Sequence, residues 1–213
     1  MKKNYISNQS DSTRMFKNDF LESLSKIHFA VPLFIFVPVI ILFSYLAYSS
    51  NISLLAYGGY FALGIFVWSA TEYILHRFIF HYMPSSKWGL RLHFIFHGVH
   101  HDYPRDAKRL VMVPTVSIPL SALFYFLFSL FLVKENLYSF FCGFILGYLI
   151  YDMLHYALHH ANFKSRFWKS IKDHHMLHHY AEPTKGYGVS SKLWDAIFRS
   201  DFDFPKKNDA TSS

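Results

Sequence analysis

Apolar runs of bilayer length set the first constraint on this chain. Phe29 to Ser49 holds 21 residues and no charge, and about 20 apolar residues in a helix cross roughly 30 Å of hydrocarbon. Similar runs follow at Ile52–Thr71, Leu110–Val133 and Leu137–Tyr151. Short polar turns, Ser50-Asn51 and Lys134-Glu135-Asn136, join the first run to the second and the third to the fourth. The expected fold is therefore an all-α integral membrane protein: four transmembrane helices in two hairpins. Pro32, Pro38, Pro114 and Pro119 lie in these runs, where neighbouring helices can re-satisfy the freed carbonyls. Gly58-Gly59 and Gly64 in the second run, and Gly143 and Gly147 in the fourth, mark faces suited to close helix contact.

Composition agrees with a membrane solvent, at 52% hydrophobic, 20% aromatic and only 16% charged. Cys142 is the single cysteine, so no internal disulfide framework supports a secreted fold. The net charge of +7 comes from an uneven distribution. Lys and Arg number 5 before the first run, 6 between the second and third, and 9 after the fourth. Lys134 alone occupies the opposite side, so 20 of 21 basic residues share one face. The positive-inside rule makes that face cytosolic, with both termini on it. The basic excess is topology and headgroup contact, with no nucleic acid implied. Residues 1–28 are polar and lack a signal-peptide pattern. They read as a flexible cytosolic tail, with an interfacial helix over Phe16–Ile27. Residues 29–202 form the membrane domain, and 203–213 a flexible C-terminal tail.

Thirteen of the fourteen histidines fall in or beside four tracts, all on the basic face. They are His76-Arg-Phe-Ile-Phe-His81, His97-Gly-Val-His100-His101, His155-Tyr-Ala-Leu-His159 and His175-Met-Leu-His178-His179. On a helix, positions i, i+3 and i+4 share a face, which groups each of the last three tracts. Asp152, one turn before His155, can reach that face as an acceptor for an imidazole N–H. His76 and His81 stand five apart, about 140° round an α-helix. That pair needs a bend, or its members serve different metals. Ten neutral imidazoles exceed what one tetrahedral ion takes, and two ions with four or five nitrogens each would account for them. Imidazole suits Fe, Zn, Cu and Ni alike. His28, far from the tracts, reads as an interface residue. Geometry alone does not exclude His93 or His174.

His-x4-His, His-x2-His-His, His-x3-His and His-x2-His-His, placed after apolar hairpins, resemble the fatty acid hydroxylase/sterol desaturase superfamily. The nearest likeness is to the fatty acid 2-hydroxylases, through His97-Gly-Val-His100-His101 with Asp106 and Arg109-Leu-Val-Met-Val-Pro114. Gly147-Tyr-Leu-Ile-Tyr-Asp152 and Gly188-Val-Ser-Ser-Lys-Leu-Trp194-Asp195 add to it. The resemblance covers about residues 50–200. It selects His76, His81, His97, His100, His101, His155, His159, His175, His178 and His179 as metal ligands, and leaves out His93, His160 and His174. It implies O2-dependent hydroxylation of a fatty acyl C–H bond at a non-haem dimetal centre in a cytosolic, histidine-rich helical cap. Iron is the expected metal, with zinc as an alternative bound species. The lipid substrate is a fatty acid or sphingolipid acyl group, attacked at C2. Some relatives carry their own cytochrome b5-like domain; here only 28 polar residues precede the first run, so electrons are expected from a separate cytochrome b5, ferredoxin or reductase.

A carotenoid or sterol-type hydroxylase would keep the metals and change the substrate. A metal transporter or sensor is the reading from another class. Transporters place ionisable residues within their spans, whereas Phe29–Thr71 and Leu110–Val133 contain no charge. The endoplasmic reticulum of a eukaryote or the inner membrane of a bacterium would fit equally.

Overall fold

The computed structural model describes residues 6–203, all helix and connecting loop. The elements are α1 (Asp19–Leu24), α2 (Val31–Ser49), α3 (Leu54–Ile74), α4 (Lys87–His93), α5 (Val99–Asp102), α6 (Pro114–Ser129), α7 (Lys134–His160), α8 (Arg166–Tyr180) and α9 (Leu193–Ile197). Two π-helical stretches interrupt this order: π1 (Leu75–Phe80) continues α3, and π2 (Phe94–Gly98) joins α4 to α5. The C-terminal tail expected over 203–213 lies outside the described residues apart from Asp203.

Among the described residues, three helical stretches are long and apolar enough to cross a membrane: Val31–Ser49, Leu54–Phe80 and Lys134–His160. Helix α6 is also apolar but has 16 residues. The third apolar run expected a helix from Leu110, and Pro114 explains the later start. A proline is favourable in the first turn but disfavours helix in the residue before it, so Leu110–Val113 are left outside the helix. Asn51, with φ of 58°, turns the chain between α2 and α3 in the left-handed region that asparagine tolerates. Ser53 then caps α3 by accepting from the Ala56 amide at 3.2 Å.

Helix α7 is the centre of the bundle. Of its apolar stretch 78% is buried, against 17% for α2 and 11% for the α3 stretch, so the outer helices leave their far, apolar faces exposed. Contact with α3 is close enough to require glycine. A Cβ on Gly143 would sit 1.9 Å from the Phe61 carbonyl oxygen, and one on Gly64 would sit 2.1 Å from that of Phe140. Gly147 makes room for Trp68 in the same way. Gly58 and Gly59 meet nothing within 4 Å, so the close face expected there is absent.

The segment before α2 departs from the flexible tail that its polar composition suggested. The Ser7 amide donates to the Asp102 carbonyl at 2.7 Å and the Ile27 amide to that of Lys108 at 2.9 Å. Ser12 N–H donates to Asp106 Oδ2 at 3.0 Å. Within it α1 is six residues long, capped by Asn18, and shorter than the expected Phe16–Ile27 helix.

Candidate metal centre

The four histidine tracts meet where α3–π1, α5, α7 and α8 converge. Five imidazoles form one group: His76, His81, His97, His101 and His178. The other five form a second: His100, His155, His159, His175 and His179. In each group the five facing nitrogens lie within 4.8 Å of one another.

Two local features produce this partition. First, π1 carries an i to i+5 hydrogen bond from the His81 amide to the His76 carbonyl, at 3.1 Å. The wider turn supplies the bend that an α-helical His-x4-His lacks, and both rings enter the first group. Single π-turns of this kind occur often at functional sites. Second, the two His-x2-His-His tracts each divide. His97 and His101 join the first group while His100 joins the second; His175 and His179 join the second while His178 joins the first. At 100° per residue, i+4 lies about 40° to one side of i and i+3 about 60° to the other. One helical face therefore serves two adjacent points.

Hydrogen bonding among the rings cannot account for the convergence. The Nε2 atoms of His76, His81 and His97 form a triangle with sides of 3.2, 3.1 and 3.1 Å. A neutral imidazole nitrogen either donates or accepts, so three such atoms cannot all satisfy one another. The partners on the other ring edge sharpen this. His76 Nδ1–H donates to the Tyr187 carbonyl at 2.5 Å and His178 Nδ1–H to that of Lys185 at 2.7 Å. A carbonyl only accepts, so both Nε2 atoms carry lone pairs, and both face His81 Nε2, at 3.2 and 3.0 Å. The second group repeats the spacing, with His155–His100, His100–His179 and His159–His175 at 3.0, 3.0 and 2.9 Å.

A cation held within each group would resolve the conflict, and the facing nitrogens are placed to hold one. With metal–nitrogen bonds of about 2.1 Å, nitrogens at right angles stand roughly 3.0 Å apart and tetrahedral ones roughly 3.4 Å. The observed 2.9–3.2 Å edges are of the size that nitrogens sharing one ion would show. The groups are also in the protonation state that ligation needs. Burial first, then the neighbouring imidazoles, holds His97, His100, His101, His175 and His179 well below the ordinary value of 6.5. Burial does the same for His178.

Two cavities reach the rings. One, of about 360 Å³, is mainly apolar and has His97, His100 and His155 in its wall, together with Met15, Val111 and Val116. The other, also about 360 Å³, reaches His81, His101 and His179 beside Asp102 and Thr184.

Residues 61–200 match the sequence profile described as fatty acid hydroxylase. The chain belongs to the fatty acid hydroxylase family. It is 37% identical over 209 residues to the human fatty acid 2-hydroxylase, covering 88% of this chain and 56% of that protein. It is 37% identical over 189 residues to a dihydroceramide fatty acyl 2-hydroxylase of Arabidopsis thaliana, covering 88% and 79%. It is also 38% identical over 190 residues to a ceramide very long chain fatty acid hydroxylase of Saccharomyces cerevisiae, covering 88% and 49%. The chain thus spans about half the length of the human and yeast relatives. A solved structure of full-length scs7p, in which only the hydroxylase domain is visible, superposes with a TM-score of 0.82 at 37% identity. It covers 87% of this chain and 70% of that one.

The remaining histidines stand outside the two groups, and Asp152 has a different partner from the imidazole expected for it. His93, His160 and His174 lie outside both groups; His174 instead hydrogen-bonds Asp201 at 3.1 Å. His28 stays at the surface, its Nδ1 accepting from the Ala30 amide at 3.3 Å. Asp152 is buried, and its carboxylate accepts from the Met112 amide at 3.4 Å, which ties α7 to the extended segment before α6. The imidazole acceptors seen in the first group are backbone carbonyls.

Those carbonyls belong to a loop with its own supports. Glu72, buried at the end of α3, accepts from the amides of Val189 and Ser190 at 2.9 and 2.7 Å and from the Ser190 hydroxyl. Asp195, fully buried, accepts from the amides of Tyr187 and Gly188 at 2.9 and 2.7 Å and from the Ser200 hydroxyl at 2.7 Å. Gly188 has no space for a side chain, since a Cβ would lie 2.1 Å from the Ser191 carbonyl oxygen. A carboxylate just past an uncharged apolar run was the one sequence signal for Glu72.

Proposed function

We propose that this chain is a membrane hydroxylase that inserts one oxygen atom of O2 at C2 of a fatty acyl chain, in a fatty acid or sphingolipid. The single observation that carries the reading is the shared wall. His97 belongs to the first imidazole group, His100 and His155 to the second, and all three line the apolar cavity. A chain lying in that cavity passes against both groups. The names of the human and Arabidopsis relatives, a fatty acid 2-hydroxylase and a dihydroceramide fatty acyl 2-hydroxylase, support the position and the substrate class.

The ten sequence-selected histidines would hold two metal ions, five nitrogens to each. Iron is the metal we assign, because imidazole suits it and the reaction needs redox chemistry, which zinc does not supply. Two such ions supply O2 activation and the oxidising power for C–H cleavage. The overall balance is R–CH2–C(O)X + O2 + 2 e⁻ + 2 H⁺ giving R–CH(OH)–C(O)X + H2O. A separate cytochrome b5, ferredoxin or reductase provides the two electrons.

The protein's own work is binding, orientation and exclusion of water. The carbonyls of Tyr187 and Lys185 fix two rings in the tautomer that leaves Nε2 free. Burial keeps the rings neutral. The apolar wall takes up the acyl chain, and the cavity beside Asp102 gives water and protons a separate, more polar approach. We read α6 as a fourth, short span, so that two hairpins place both termini and the imidazole groups on the cytosolic side. A site at the ends of the spans meets the carbon beside the acyl carbonyl, near the headgroups. The membrane is the endoplasmic reticulum in a eukaryote or the inner membrane in a bacterium.

Lipid mass spectrometry of cells with and without the gene, grown under 18O2, tests the reading. The expected product is a 2-hydroxyacyl lipid carrying 18O only when the gene is present. Labelled carotenoid or sterol instead, or no labelled lipid with an electron donor present, would overturn it.

A further inference from the structure

The residues just before the first span make contacts that their composition hides. Glu22 is the knot. Its Oε2 accepts from the amides of Met15 and Phe16 at 2.9 and 3.0 Å, and its Oε1 from Arg109 Nη2 at 2.6 Å. The Arg91 guanidinium binds the Met15 carbonyl. The side chains of Glu22 and Arg109 are 14% and 3% exposed, and leaving one of such a buried pair alone is costly. A loose tail would not retain this arrangement.

Its consequence lies on the other side of the segment. Met15, Phe16, Leu21 and Leu24 form one wall of the apolar cavity, facing the Leu110–Val113 stretch that Arg109 begins. Met15 is 5% exposed at the inner end, while Leu21 and Leu24 are 46% and 36% exposed at the rim. Phe20, next to them on α1, is 69% exposed. The rim is therefore apolar, open and only a few residues from the start of α2 at Val31, where the bilayer surface begins. Among soluble surfaces such a patch would mark an interaction site; beside a membrane span its partner is acyl chain.

We propose that residues 15–24 are the doorway and outer wall of the acyl site. The chain enters from the bilayer past Leu21 and Leu24, and Met15 and Phe16 select how much of it fits. The Glu22–Arg109 pair holds the doorway against the opposite wall. This rests on the acyl-hydroxylase reading above, and its test separates the two.

The experiment uses the full-length protein in membranes and an N-acylsphinganine with a diazirine on its acyl chain. After irradiation, the cross-linked peptides are mapped by mass spectrometry, a readout of binding alone. Cross-links are expected both in residues 15–24 and in residues 110–116. Cross-links in 110–116 without any in 15–24 would overturn the doorway and leave the acyl site standing. Cross-links in neither would overturn the acyl site itself. A second measurement uses Leu24→Trp, at the half-open rim where bulk is tolerated by the fold. The expected result is a 3- to 10-fold higher KM for long acyl chains, a product profile shifted to shorter chains, and unchanged metal content. An unchanged chain-length profile would sink the selectivity role.

Discussion

The Nε2 atoms of His76 and His81 stand 3.2 Å apart, although five residues of α-helix would turn them about 140° away from each other. The π-turn between them is the price of that meeting, and it puts both rings in one group with His97, His101 and His178.

Membership of the groups predicts metal stoichiometry. His97→Ala and His178→Ala, in different tracts, should each lower bound metal from about two ions per chain to about one, and so should the double variant. His97→Ala combined with His175→Ala should bring it near zero. Elemental analysis of purified protein decides this, and equal losses for every pair would contradict the partition. His178→Ala should abolish hydroxylation, while His28→Ala should change neither metal nor activity.

The loop that supplies the Tyr187 carbonyl depends on Glu72. In Glu72→Ala, two buried amides and a hydroxyl lose their acceptor, at about 1–3 kcal/mol for each group left unpaired. Metal affinity should fall by about 10- to 100-fold through the loss of ring orientation. Competition with a chelator gives the affinity, and a wild-type value would remove Glu72 from the support of the site.

The metal-stripped protein should be sensitive to acid in a defined direction. Burial and neighbouring rings hold His97, His100 and His179 well below 6.5 in the fold, whereas the unfolded chain takes up protons near that pH. The folded state binds fewer protons, so its stability is complete above about pH 7 and falls as pH drops below about 6.5. Each such ring contributes up to about 1.4 kcal/mol per pH unit. Thermal melts in detergent from pH 8 to 5.5 should show a flat upper range and a steep decline; a melting point that rises on acidification would reverse the sign.

Helix contact offers a contrast between glycines. Gly143→Ala forces a methyl group against the Phe61 backbone, and overpacking of this kind costs about 1–3 kcal/mol or more. Gly58→Ala meets open space and should be neutral or slightly stabilising. Melting of the two variants in the same detergent checks the order.

Much of this was readable in the residues. Apolar runs located α2, α3 and α7. The histidine tracts, with the family resemblance that left out His93, His160 and His174, picked out the ten rings that converge. Most of what escaped the sequence shares a cause, since those features depend on a partner distant in the chain. The π-turn at Leu75–Phe80 arises because rings from α5 and α8 complete the group that His76 and His81 begin. Asp152 sits one turn from His155 as expected, yet the Met112 amide is what it binds. Residues 6–27 look polar and loose until Glu22 finds Arg109, 87 residues away. Leu110–Val113, by contrast, escaped for a local reason: apolar enough for a span, they stand before the helix that Pro114 starts and line the cavity.

The division of the tracts also governs how the protein is made. The first group needs His76 from the early hairpin and His178 from α8; the second needs His100 and, again, His175 and His179. The first cannot close until residue 178 has left the ribosome, nor the second until residue 179 has. Metal loading of either group would therefore be a late event in biogenesis, and a chain truncated anywhere before α8 would carry histidines without a complete group.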